Sequence, residues 1–183
     1  ESRKGCSRGL KNRGEQALVW SVEPAVRIPH EFSTNPRFGM KLEFNGVFPA
    51  PPTPIAADGR INEKALRALL DDNISHGCGG FWMAGSTGEG PILTDEQRDA
   101  VAGISADACK GRALVIMQVG AMSTASAVKA ARTARAADCA AVCCLPPLFF
   151  RSSERSIIDY YKAVADAAGE LPFFVYNLPQ LTQ

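Results

Sequence analysis

The run Ala113-Leu114-Val115-Ile116-Met117-Gln118-Val119, closed by Gly120, decides how this chain folds. Such near-continuous apolarity suits a strand buried on both faces, which is the mark of a parallel sheet. Short runs of similar character recur at Gly80–Ala84, Ala140–Leu145 and Pro172–Tyr176. With residue 113 included, their starts lie 33, 27 and 32 residues apart, close to the roughly 30 residues of one βαβ unit. An earlier run, Gly46–Ile55, is expected to form the first strand.

Helical patterns fill the intervals. Asn62 stands ready to cap a helix whose Ala65, Leu66, Leu69, Leu70 and Ile74 fall at helical spacing. Thr94-Asp95-Glu96-Gln97 reads as a capping box opening a second helix that ends near Gly111. Ser123 or Thr124 starts a third, Ala-rich helix with Ala127, Val128, Ala131 and Ala134 on one face. Ser152 or Ser153 starts a fourth, striped by Ile157, Ile158, Tyr161, Val164 and Ala165. These stripes are core. The alternation implies an α/β fold with a parallel sheet, either open or closed as a barrel. Five strands and four helices are expected before Gln183. A complete (β/α)8 barrel typically takes about 250 residues, so a barrel reading makes this a partial one, truncated before strand six.

Composition narrows the class. The 183 residues are 46% hydrophobic with a net charge of +1, enough for one domain with a sizeable core. The near balance of charge argues against a nucleic-acid partner. No run approaches the ~18 consecutive apolar residues of a membrane helix, and none is expected. Residues 1–40 hold seven Lys or Arg against four Glu and lack a sustained apolar period. Their one apolar cluster, Ala17 to Val22, is shorter than the ~7–15 residue core of a secretory signal, and organellar presequences are poor in acids. Residues 1–43 therefore read as a basic, disordered leader, with Met40 a natural start for the fold, and 44–183 as the βα part. The six cysteines show no CxxC pair, and His30 and His76 stand alone, so no metal site is expected. The cysteines read as small buried hydrophobes in a reducing, cytoplasmic compartment, and His76, before Gly77, as a helix C-cap.

In parallel α/β folds function gathers at the carboxyl ends of the strands. After the second expected strand comes Gly85-Ser86-Thr87-Gly88-Glu89-Gly90. Adjacent hydroxyls flanked by glycines let backbone N–H groups approach a ligand, making a small anion pocket. A carboxylate fits better than a nucleotide, because neither GxGxxG nor GxxxxGK[ST] is present; an ordinary Gly-rich turn is the plainer alternative. Ser123 and Thr124, after the third strand, are explained as helix caps. Pro146-Pro147-Leu148-Phe149-Phe150 follows the fourth as an apolar wall. The fifth ends in Tyr176-Asn177, where a phenol either relays a proton or packs with its hydroxyl at the rim.

Together these motifs carry a resemblance that each alone does not. Residues 44–182 resemble the pyruvate-dependent class I aldolase family of dihydrodipicolinate synthase and N-acetylneuraminate lyase. The shared features are Thr53-Pro54, Asp58-Gly59-Arg60-Ile61-Asn62, Gly85-Ser86-Thr87-Gly88-Glu89 and Tyr176-Asn177-x-Pro179, in the family's order and approximate spacing. The resemblance implies a (β/α)8 barrel, usually a homotetramer, that needs no cofactor and no metal. It implies a lysine that forms a Schiff base with the keto carbon of pyruvate or a sugar acid. Ser86 and Thr87, with Gly88 beside them, would hold the substrate carboxylate, and Tyr176 would shuttle protons. An amine suits this chemistry because a protonated imine absorbs the electron pair left by C–C cleavage.

Two departures point within the family. The synthase branch resembles a pattern with Arg where this chain has Leu181, and with a second Tyr where it has Phe149. Both positions would border the substrate, and both changes favour the N-acetylneuraminate lyase branch, which cleaves a 2-keto sugar acid to pyruvate and an aldehyde. A synthase-like or other 2-keto-acid aldolase is the alternative. The family's Schiff-base lysine lies at the end of the sixth strand, and none of Lys4, Lys11, Lys41, Lys64, Lys110, Lys129 and Lys162 is expected at a strand's carboxyl end. The chain is therefore expected to carry half of the site and to be inactive alone, which keeps a non-catalytic truncated product in view. A flavodoxin-like module would need a phosphate loop after the first strand, where Gly46–Pro52 is too rich in proline to supply N–H donors.

Overall fold

A computed structural model describes residues 42–148 and 151–178; residues 1–41 of the expected leader, and Phe149 and Leu181, lie outside them. In chain order the elements are α1 (Glu63–Ser75), β1 (Gly80–Met83), a 3-10 turn (Gly90–Ile92), α2 (Asp95–Cys109), β2 (Leu114–Gln118), α3 (Thr124–Ala136), β3 (Ala141–Cys144), α4 (Glu154–Ala168) and β4 (Phe173–Val175).

Each helix starts where a side chain satisfies the first free N–H groups, a contribution of about 1 kcal/mol apiece. Asn62 Oδ1 accepts from Ala65 N–H at 3.1 Å. Thr94 and Gln97 form the expected reciprocal box, at 3.2 Å and 2.8 Å. Ser123 and Ser153 accept from the N–H groups of Ser126 and Ser156. His76 is the C-cap of α1, as its place before Gly77 suggested.

The four strands are all parallel and lie in the order β1-β2-β3-β4. One face of the sheet, with Phe81, Met83, Val115, Met117, Val142 and Cys144, packs in a single apolar cluster with residues of all four helices. The other face carries Trp82, Leu114, Ile116, Ala141, Cys143 and Phe174, packed with Phe44, Phe48 and Tyr176. Helices on one face with strands added in sequence are the arrangement of part of a (β/α)8 barrel; an open doubly wound sheet would reverse strand order and bury helices on both faces. No helix of the described residues is long and apolar enough to cross a membrane.

Two expectations are corrected. Gly46–Ile55 forms no strand. It runs beside β1 as extended chain, accepting from Gly79 N–H at Val47 O (3.1 Å) and from Trp82 N–H at Pro49 O (2.9 Å). Pro49, Pro51, Pro52 and Pro54 have no N–H to return, so the ladder stays one-sided. Ile55 makes only a single antiparallel bridge, to Ile61. The described residues therefore hold four strands, with this segment in the place of a fifth.

The buried face of α4 is also rotated from the expected stripe. Tyr160, Val164, Ala167 and Ala168 are buried, whereas Ile158 is 48% exposed. Tyr160 turns inward because its phenol finds backbone partners there: it accepts from Ala121 N–H at 2.9 Å and reaches Ala121 O and Leu145 O at 3.2 and 3.3 Å. The cysteine reading holds for Cys109, Cys139, Cys143 and Cys144, which are buried, while Cys78 is half-buried.

Candidate active site

The carboxyl ends of β1, β2 and β4 converge on a cavity of about 330 Å³. Ser86 and Thr87 reach it from the turn after β1, Gln118 from the end of β2, and Tyr176 from the residue after β4. The three residues that sequence singled out for chemistry thus border one space. Gly88 is buried beneath the turn.

The turn after β1 is held in an unusual backbone. Ala84 (φ 52°) and Glu89 (φ 57°) both occupy the left-handed region, which disfavours residues with a Cβ by roughly 1–2 kcal/mol. Residues in such conformations cluster at functional sites. Glu89 N–H to Ser86 O (3.1 Å) and Gly90 N–H to Gly85 O (3.0 Å) close the turn. Gly90 is required, because a Cβ there would lie 1.8 Å from Ala84 O. Thr53, in the proline-rich segment, donates its buried hydroxyl to Gly88 O at 2.6 Å and ties the turn to the chain beside β1. Among the described residues, the hydroxyls of Ser86 and Thr87 and the N–H groups of Ser86, Thr87 and Gly88 have no hydrogen-bond partner. They form a patch of free donors.

Tyr176 is placed by its own backbone, whose N–H donates to Cys144 O at 2.9 Å. Its ring packs on the inner face with Phe174 and Cys143. The Cys143 thiol borders the same cavity, but burial pushes it up to about 12, so it remains a neutral thiol at physiological pH. The cavity lining has no charged side chain among the described residues. Lys64, Lys129 and Lys162 sit on helices and Lys110 at a helix end; none of the four borders the cavity.

Sequence reasoning missed Gln118. It is 6% exposed and closes an otherwise apolar strand, a lone polar residue that could have been noticed in the run of seven. Its Oε1 accepts from Gly120 N–H. From the helix side, Arg98 donates through Nη2 to Gln118 O (3.3 Å) and Gly120 O (3.2 Å), bracing the end of β2 and the residues just after it. Burial lowers the pKa of this guanidinium, and the carbonyls it grips compensate part of that desolvation.

Chemically, the cavity offers hydroxyl and N–H donors suited to a carboxylate, a phenol able to pass a proton, and one further amide. Known proteins of similar sequence and fold give the family. Residues 43–183 match the Dihydrodipicolinate synthetase family. The N-acetylneuraminate lyase of Citrobacter koseri is 34% identical over 143 residues, covering 78% of this chain and 48% of that protein. The chain spans about half the length of the curated relatives it matches. Among solved structures, the sialic acid aldolase of Ruminococcus gnavus is similar with a TM-score of 0.72 at 29% identity, over 75% of this chain and 46% of that one. A prophage protein of the dihydrodipicolinic acid synthase family from E. coli K12, solved in complex with pyruvate, is similar with a TM-score of 0.72 at 32% identity, over 76% and 46%. Matched over more than three quarters of its length and folded as part of the same barrel, the chain belongs to the dihydrodipicolinate synthetase family.

Proposed function

We propose that this chain is the substrate-acid half of a pyruvate-dependent class I aldolase, of the kind that cleaves a 2-keto sugar acid such as N-acetylneuraminate to pyruvate and an aldehyde. The carrying observation is that Ser86, Thr87 and Tyr176 border one cavity at the carboxyl ends of parallel strands. The similarity to N-acetylneuraminate lyases and to a pyruvate-bound family member supports the substrate class.

In this reading the hydroxyls of Ser86 and Thr87 and the adjacent N–H groups bind the carboxylate. Pinning that end aligns the bond to be cleaved with the electron-accepting imine, which is where orientation lowers the barrier. Tyr176 hands a proton to or from the reacting carbon's substituent through its phenol. The amine that would form the imine is not supplied by any described lysine bordering the cavity. In this reading the described part of the chain binds the acid and supplies no amine for the covalent intermediate.

Two measurements on the full chain test this. Pyruvate should shift the amide resonances of Ser86, Thr87 and Gly88 in a saturable way. Pyruvate with borohydride should leave the intact mass unchanged. Resonances that do not respond would refute the carboxylate site, and a stable one-pyruvate adduct would refute the missing-amine reading.

A further inference from the structure

We infer that Gln118 is a substrate-binding residue that reads the keto oxygen, a role that rests on the carboxylate reading of Ser86 and Thr87. Side chains alternate across a strand. Val115, Met117 and Val119 belong to the cluster with the helices, while Leu114 and Ile116 face the other way. Gln118 follows Leu114 and Ile116 on that inner face, paired in register with Cys143. A primary amide buried to 6% exposure there costs free energy unless its hydrogen bonds are made.

Half of them are. Gly120 N–H is a donor, so the end of the amide that meets it is the oxygen. That orients Nε2, with its two N–H bonds, as the end left over. Among the described residues Nε2 has no acceptor, and Gln118 borders the cavity alongside Ser86, Thr87 and Tyr176. The Arg98 grip on Gln118 O and Gly120 O fixes the backbone on either side of the bond. The amide is held as a preset pair of donors.

A donor with no acceptor capacity left can pair only with a ligand oxygen that accepts. In a 2-keto acid the carboxylate is taken by the turn after β1. The remaining acceptor common to every member of the class is the oxygen on C2. A site that presents a buried donor to such an atom rejects the analogue lacking it, because the donor is then left unpaired. Gln118 thereby selects 2-keto acids over plain acids of the same size.

The test uses the full chain, with pyruvate and propionate as paired probes and the Ser86–Gly88 amide shifts as the readout. Pyruvate should bind roughly tenfold more tightly than propionate, the scale of one well-made hydrogen bond. Gln118→Met keeps the volume and removes both donors, so the preference should vanish while propionate binding is retained. Gln118→Glu keeps the acceptor that Gly120 N–H needs and replaces the donors with an anionic oxygen. It should lose pyruvate binding with the Gly120 amide resonance in its wild-type position, which separates lost recognition from lost fold. Retention of the pyruvate preference by Gln118→Met overturns the inference and leaves the carboxylate site standing. If neither acid moves the Ser86–Gly88 amides, the carboxylate site itself falls and this inference with it.

Discussion

Thr53→Val removes one hydroxyl from beneath the turn after β1 and changes little else in shape. The Thr53 hydroxyl and Gly88 O meet at 2.6 Å, and both residues are buried. In the variant the carbonyl keeps its desolvation but loses its donor, which costs about 1–3 kcal/mol. With a urea slope of about 1–3 kcal/mol/M for a small domain, the denaturation midpoint should fall by on the order of 1 M. The same bond tethers the turn that presents Ser86, Thr87 and Gly88, so pyruvate affinity should weaken in parallel. Thr53→Ser keeps the hydroxyl and loses a methyl, worth about 0.8 kcal/mol. It should retain most of the affinity while giving up some stability. Urea unfolding together with amide-shift titration separates the two. If Thr53→Val matches the wild type in both, or if Thr53→Ser is as damaging as Thr53→Val, the bond is not what positions the turn.

Two further substitutions and a pH series follow. Gly90→Ala would set a Cβ 1.8 Å from Ala84 O and force the turn to move, whereas Gly103→Ala meets nothing within 4 Å inside α2. The first should lower the thermal midpoint, and the second should raise stability by about 1 kcal/mol, the helix preference for Ala over Gly. Burial raises the thiols of Cys109, Cys139 and Cys143 to about 12 and that of Cys144 to about 11, from 9.0. The folded state therefore holds these protons after the unfolded chain has released its own. Their contribution is fully present below about pH 9 and is lost as pH rises toward 11–12. Urea midpoints measured from pH 8 upward should decline, and Cys139→Ala should make that decline shallower; an unchanged slope would count against the burial account.

Sequence patterning revealed the fold more completely than it revealed the site. Caps are local chemistry, so Asn62, Thr94, Ser123 and Ser153 were legible from a few neighbours each. β1, β2 and β3 were legible because burial on both faces leaves a dense apolar run. Gly46–Ile55 misled because its apolar content matches a strand while its prolines withhold the donors a strand needs. The α4 face was misread because apolar spacing accepts Tyr161 as readily as its neighbour, and only the folded backbone shows the carbonyls that draw Tyr160 inward. Ser86, Thr87 and Tyr176, singled out by the family resemblance and their places at strand ends, border one cavity. Gln118 was not singled out, since its significance depends on Gly120 and on a helix twenty residues before it in the chain.

Among the described residues the cavity lining is uncharged, which has a consequence for how an acid would arrive. Neutral dipoles act only at contact range, so the site exerts little long-range pull on an anion in solution. Encounter would be ordinary diffusion, and raising the ionic strength would screen little that matters for binding. Recognition of the acid in such a place comes from fit to short-range donors, and it holds in brine much as it holds in dilute buffer.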